Sequence, residues 1–159
     1  MPEPTIELFA RILGQALRPH DFARLEGVSA PPPNVELRAI WRRRRRFGNH
    51  GVALAVLPEG ESHAGDYAQA IKTPVGALVG YVPYLYTLGL QLVLVTRREL
   101  PKTVLDSVDT HDTHRVLLQS IQVVNLEQRV HVWGRAWHAG VVADFQKAIV
   151  SALNYTVNL

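Results

Sequence analysis

The feature that most constrains this chain is an uncharged stretch over residues 73–96, TPVGALVGYVPYLYTLGLQLVLVT. Its length matches the roughly 20 apolar residues that a membrane-spanning helix needs, and basic residues flank it. Its interior, however, contains Pro83, three glycines and three tyrosines, and it ends in a run rich in aliphatic residues. This pattern favours a buried helix followed by a central β-strand over a membrane span.

Two elements are predicted inside this stretch. Thr73 followed by Pro74 is typical of a helix N-cap and first turn, so a helix that begins upstream is expected to restart here. Pro83 then breaks the helix, and Gly89 is the expected helix terminus. Residues 90–95, LQLVLV, are predicted to form a short strand that is buried on both faces.

The composition indicates one folded globular domain, residues 1–159, because 47% of the residues are hydrophobic and 19% are charged. The net charge of +3 is small, so any nucleic-acid role depends on how the arginines cluster. The chain has no cysteine, which excludes disulfides, thiol catalysis and cysteine-based metal sites. The N-terminal residues lack the pattern of a signal peptide. We therefore expect a cytoplasmic protein without a cofactor.

Amphipathic patterns predict helices near both ends of the chain. Thr5 is placed to cap a helix that runs to about Leu17 and is ended by Pro19. Residues 20–25 are expected to form a short helical turn. Residues 139–155 have the pattern of a final helix, with an apolar face made of Val142, Phe145, Ile149, Ala152 and Leu153.

Alternating patterns predict two β-hairpins, one over residues 35–56 and one that pairs 116–126 with 129–137. The first has its turn at 48–51. One face of its first strand is expected to hold Val35, Leu37, Ala39 and Trp41. The element order α-β-β-α-β-(α)-β-β-α predicts an α+β fold, in which a mixed, mostly antiparallel sheet of about five strands packs with three main helices.

Five consecutive arginines are the strongest surface signal. They form a candidate anion or nucleic-acid contact that comprises Arg42, Arg43, Arg44, Arg45 and Arg46. In a strand, alternate members project to opposite faces, and an unpaired arginine is costly to bury, so the hairpin tip is expected to project beyond the core. The arginines would hold phosphate groups, or alternatively pair with Glu36, Glu59, Glu61 or acids of another subunit.

The predicted strand over 129–137 carries small residues on one face, which suits close packing of a helix. The other face, which we call the aromatic-basic face, carries Arg129, His131, Trp133, Arg135 and Trp137. Large aromatics between cations suit a protein interface, a buried second layer or a base-stacking platform. A core or an interface is favoured over base stacking, because no RNA-binding signature accompanies the pattern.

The segment 109–114 repeats Asp-Thr-His and offers four side chains of metal-binding type, Asp109, His111, Asp112 and His114. These residues match no established metal motif, and aspartate is also a common turn and cap residue. We therefore assign no metal to them.

Together these features predict a non-catalytic protein that works by assembly. It would bind itself or a partner protein through the aromatic-basic face and use the arginine hairpin as a second contact. The alternative is a nucleic-acid-binding accessory protein that uses the same two patches. A third hypothesis is a metal-dependent hydrolase or nuclease centred on residues 109–114.

Overall fold

The computed structural model describes residues 5–26, 32–45, 48–61, 63–80, 88–97, 116–133 and 139–159. Its helices are α1 (Ile6–Leu17), a short 3-10 helix (Arg18–His20), α2 (Ala64–Val79) and α3 (Ala139–Val157). Its strands are β1 (Ala23–Arg24), β2 (Glu36–Arg45), β3 (Gly48–Val56), β4 (Leu88–Thr96), β5 (Val116–Asn125) and β6 (Val130–Trp133).

The six strands form one sheet in the order in which the chain makes them, β1 to β6. The pairs β1–β2, β2–β3 and β5–β6 are antiparallel, whereas β3–β4 and β4–β5 are parallel. The predicted α+β fold with a mixed sheet is therefore confirmed. The additional strand is β1, where residues 20–25 were expected to form a helical turn. That prediction was wrong because two residues are too few to show the period of a strand.

Helices cover both faces of the sheet, which gives three layers. On one face, α1 and α3 pack together over side chains of β2 to β5. On the other face, α2 packs over a second apolar cluster. The central strand β4 serves both layers, because Leu90, Leu92 and Leu94 face α2 while Val93 and Val95 face α1 and α3. The predicted central strand buried on both faces is thus confirmed.

Helix α1 begins and ends where its sequence predicts. The Oγ1 atom of Thr5 accepts a hydrogen bond from the backbone N–H of Leu8 at 3.2 Å, which satisfies one of the free donors of the first turn. The buried face includes Phe9, Leu13 and Leu17. Burial of each such side chain stabilises the fold by about 1.5–3 kcal/mol.

Helix α2 is continuous through Pro74, so the predicted restart at Thr73 was wrong. A buried stripe, made of Ala68, Ile71, Val75 and Val79, runs past the proline and keeps both halves of the helix on the sheet. The helix ends at Gly80, whose φ of 99° is the left-handed conformation that glycine adopts most readily. Gly89 lies in β4 and terminates no helix, and Pro83 lies outside the described residues. Among the helices described, none combines the length and apolarity of a membrane span.

The β2–β3 hairpin is confirmed, but two of its details differ from expectation. Leu37 pairs with Ala55 and Ala39 pairs with Leu54, which leaves Arg38 as an extra residue in a β-bulge. The bulge divides the expected apolar face, because Leu37 packs on the α2 side while Ala39 and Trp41 pack on the α1 side. The turn was not at 48–51, since β3 already begins at Gly48 and pairs there with Arg45.

Candidate functional site

Arg42 is the first arginine of the run and contacts the end of helix α2. Its Nη1 atom donates to the carbonyl oxygen of Val79, the last residue of that helix, at 3.4 Å. A cation at a helix C-terminus interacts favourably with the negative end of the helix dipole. Arg42 therefore joins the hairpin to α2.

Arg43 lies inside the protein with only 4% of its surface exposed. Its Nη1 atom donates to the carbonyl oxygen of His20 at 3.4 Å, and its Cζ atom lies 5.2 Å from the centre of the Phe22 ring. The expectation that arginines on this face project beyond the core was wrong for Arg43. The segment around β1 supplies a carbonyl acceptor and an aromatic ring, which permit its burial.

Arg44 is exposed, and it lies on the same face of β2 as the half-buried Arg42. The side chain of Arg45 and the whole of Arg46 lie outside the described residues. Glu36, a suggested partner of the run, pairs instead with Arg38, which also approaches Glu7 at 3.7 Å. These carboxylates are exposed, so the pairs contribute little to stability.

The aromatic-basic face is described for only part of its length. Arg129 is exposed in the turn before β6, and His131 lies within β6. The side chain of Trp133, together with Arg135 and Trp137, lies outside the described residues.

Helix α3 covers the His131 side of β6, since the Nδ1 atom of His131 lies 3.0 Å from the Oδ1 atom of Asn154. The expectation that the helix packs on the small-residue side was therefore wrong. On that opposite side Val130 is 45% exposed.

The described start of the aromatic-basic face, at Arg129, lies far from the hairpin tip. The hairpin tip lies level with the first residues of β4 and β5, because Asn49 pairs with Leu88 and Leu88 pairs with Val116. Val130 pairs with Asn125 at the other end of β5. With about 3.3 Å per residue along a strand, the hairpin tip and the start of β6 stand on the order of 30 Å apart along the strand direction.

A row of hydrogen-bonded polar side chains, buried at its inner end, crosses the sheet on the α1 and α3 side, and sequence reasoning missed it. Ser120 Oγ donates to Gln91 Oε1 at 2.9 Å, and Gln122 Nε2 donates to Ser120 Oγ at 3.2 Å. Gln122 Oε1 lies 2.6 Å from His131 Nε2, and the contact between His131 and Asn154 completes the row. We call these five residues the polar row.

The inner part of the polar row is fully enclosed, since Gln91, Ser120 and Gln122 have no exposed surface. Among the described residues, no acceptor lies within hydrogen-bonding distance of Gln91 Nε2. A buried donor without an acceptor is rare and costly. The only signal in the sequence is that polar residues interrupt strands that are otherwise apolar.

Burial also shifts the pKa values of three side chains. It lowers the pKa of His131, and the hydrogen bond with Asn154 acts in the opposite direction to a smaller extent. It raises the pKa of the Tyr67 hydroxyl, with further contributions from Glu36 and Glu61, and it lowers the pKa of Lys72. Across the described ranges, no three His, Asp or Glu side chains cluster in a way that suits a metal ion. The candidates Asp109, His111, Asp112 and His114 lie outside those ranges.

The described residues thus define a three-layer α+β protein with a six-stranded mixed sheet, a polar row that is buried at its inner end, and β6 as an edge strand of the sheet. Comparison with protein-family models, curated protein sequences and solved structures found no match to this chain.

Proposed function

We propose that this protein is a non-catalytic assembly protein that self-associates through the edge of β6. The observation that carries the proposal is the position of this strand at the end of the sheet. In the part of the chain that the structure describes, no strand pairs with its outer side. A strand edge presents free N–H and C=O groups that can pair with a strand of another chain.

Two exposed apolar side chains lie in β6 and in the part of α3 that contacts it. Val130 is 45% exposed and Tyr155 is 60% exposed, and they are the large exposed hydrophobic residues among those described. Val130 precedes His131 and Tyr155 follows Asn154, so the contact between His131 and Asn154 holds the two segments together. Tyrosine is enriched in protein interfaces because its large ring also carries a polar group.

A second copy of this chain is the partner that we favour. Most soluble oligomers are symmetric, and a twofold axis brings a strand against its own copy in antiparallel orientation. Such pairing continues the antiparallel order of β5 and β6. The arginine hairpin is the second contact in this proposal. Because it is remote from β6, it is available to a different copy or a different partner.

Size-exclusion chromatography with light scattering tests the proposal. Wild-type protein is expected to have twice the chain mass of 17.7 kDa, at low and at high salt, because strand pairing and apolar contacts are only weakly screened. Val130→Lys places a charge on the edge and is expected to give the monomer. Gln15→Lys adds the same charge on the exposed side of α1 and should leave the dimer intact. A wild-type monomer at every concentration would refute self-association.

Nucleic-acid binding by the hairpin is the second candidate, and the exposure of Arg44 beside Arg42 favours it. A labelled single-stranded oligonucleotide should then bind with an affinity that falls steeply with salt. Arg44→Ala should weaken binding and reduce the slope of log K against log salt by about 1, since one phosphate contact is lost. Arg11→Ala removes an equal charge from exposed α1 and serves as the control. Equal effects of the two variants would show that only net charge matters.

A further inference from the structure

We propose that His131 is a proton-sensitive tie between the edge strand β6 and helix α3, closed near neutral pH and weakened in acid. The imidazole lies between two carboxamides, with Nε2 at 2.6 Å from Gln122 Oε1 and Nδ1 at 3.0 Å from Asn154 Oδ1. One side chain therefore connects β5, β6 and α3. This tie is independent of whether the protein self-associates.

The two carboxamides differ in whether they can reorient when His131 gains a proton. Gln122 is fully buried, and its Nε2 atom donates to Ser120, so its oxygen is held toward His131. Asn154 is exposed, and its carboxamide can rotate. The structure places an oxygen at each ring nitrogen. A neutral His131 that donates from Nε2 instead needs a donor at Nδ1, which Asn154 supplies by turning its amide nitrogen inward. A protonated ring donates from both nitrogens, and Asn154 then presents its oxygen.

Within the described part of the chain, no carboxylate contacts the His131 ring. Among the described residues, the hydrogen-bonding groups that face His131 are Gln122 of β5 and Asn154 of α3, and both are uncharged. On the adjoining turn and helix, the ionisable residues whose side chains the structure describes are exposed, namely Glu127, Arg129, Lys147 and Tyr155. Protonation therefore places a charge in a partly buried site where only amide dipoles stabilise it.

The sign of the pH effect follows from the direction of the shift. Burial lowers the pKa of His131 below its ordinary value of 6.5, so the unfolded or opened chain binds the proton more tightly than the closed form. His131 contributes its full stabilisation to the closed form above about pH 6.5. This contribution is lost as the pH falls toward the lowered pKa of His131. At pH 5.5 the opening equilibrium rises by up to about tenfold, the limit set by one pH unit below the ordinary value.

The region that loosens first is the short strand β6. Strand β6 has only four residues, and it pairs on one side with β5. Helix α3 retains its apolar contacts through Ile149, Leu153 and Val157, so acid opens the edge without unfolding the core.

Native-state hydrogen exchange on the full chain, corrected for intrinsic rates, tests this tie at pH 7.5 and 5.5. Protection of β6 amides is expected to fall by up to about tenfold in acid, while β4 amides change less. His131→Gln, which stays uncharged and keeps hydrogen-bonding groups, should remove this pH dependence. His63→Gln, at an exposed position before α2, should retain the wild-type pattern.

The wild-type protein offers a second test that does not depend on whether His131→Gln folds. An NMR titration of the wild-type ring should place the pKa of His131 below 6.5. In Asn154→Ala the pKa of His131 should fall further, because the hydrogen bond that raises it is lost. A ring that titrates at or above 6.5, or the same acid loosening in His131→Gln, would overturn the proposal.

Discussion

Gly51 is the position at which a single added methyl group should most clearly disturb the packing of α2 on the sheet. A Cβ atom at Gly51 would lie 2.8 Å from Val79 Cγ1, 3.1 Å from Val79 Cγ2 and 3.4 Å from Leu90 Cδ1. Val79 and Leu90 are fully buried, so neither has solvent to move into. Overpacking of this kind costs about 1–3 kcal/mol. Part of that cost is offset by about 0.5–1 kcal/mol, because alanine restricts the unfolded chain more than glycine does.

We therefore expect Gly51→Ala to lower the free energy of unfolding by about 1–2 kcal/mol. Equilibrium urea unfolding measures this change as a lower midpoint at constant slope. Gly60→Ala is the matched control, because a Cβ atom at Gly60 meets no atom within 4 Å. That variant should be neutral or gain up to about 1 kcal/mol.

The double variant Gly51→Ala, Val79→Ala identifies the atoms responsible. Removing the two Val79 methyl groups should make the added Cβ atom harmless. The double variant should then be about as stable as Val79→Ala alone, with a coupling energy of roughly 1 kcal/mol or more. Additive losses, or a Gly51→Ala protein as stable as Gly60→Ala, would refute the packing argument.

Three further substitutions test local features. Thr5→Ala should lower the free energy of unfolding by about 1 kcal/mol in urea melts, because it removes the N-cap acceptor of α1; Thr5→Ser should restore it. Gly80→Ala should cost about 1–2 kcal/mol by the same measurement, since φ at this residue is 99°, and Gly80→Asn should cost less. Tyr67→Phe should stabilise the protein by about 1 kcal/mol at pH 7, because the buried hydroxyl has no hydrogen-bond partner among the described residues. Burial raises the pKa of Tyr67 above 10.0, so wild-type stability should fall as the pH rises through this value, and Tyr67→Phe should flatten that fall.

Those parts of the fold that depend on local pattern could be predicted from the sequence. Thr5 caps α1, and the apolar run over residues 90–95 lies in a central strand, as its composition indicates. The alternating residues around the arginine run do form a hairpin. Each of these signals lies within a short stretch of the sequence, and tertiary packing favours the same structure that the local pattern predicts.

The failures arise where a distant part of the chain overrides the local pattern. Pro74 should break a helix, yet side chains on either side of it, such as Ile71 and Val75, are both buried against the sheet. Arg38 adds a bulge that no alternation pattern shows, because its cause is the pairing with β3. Arg43 is buried by a carbonyl group more than twenty positions away in the chain, at His20.

The polar row could not be predicted for a related reason. Its members come from β4, β5, β6 and α3, and only the strand order brings them together. In the sequence, Gln91 and Ser120 are simply exceptions within apolar strands. Their pairing depends on a register in which Gln91 lies opposite Ser120, and no local pattern encodes that register.

The sequential strand order has a consequence for how the protein is made. During synthesis, each strand from β2 onward emerges after the neighbouring strand that precedes it in the chain, so the sheet can grow from the β1 edge without waiting for later residues. Helix α1 is different, because Phe9, Leu13 and Leu17 share one cluster with Ile149, Leu153 and Val157 of α3. A nascent chain therefore keeps part of this early apolar surface uncovered until α3 has left the ribosome.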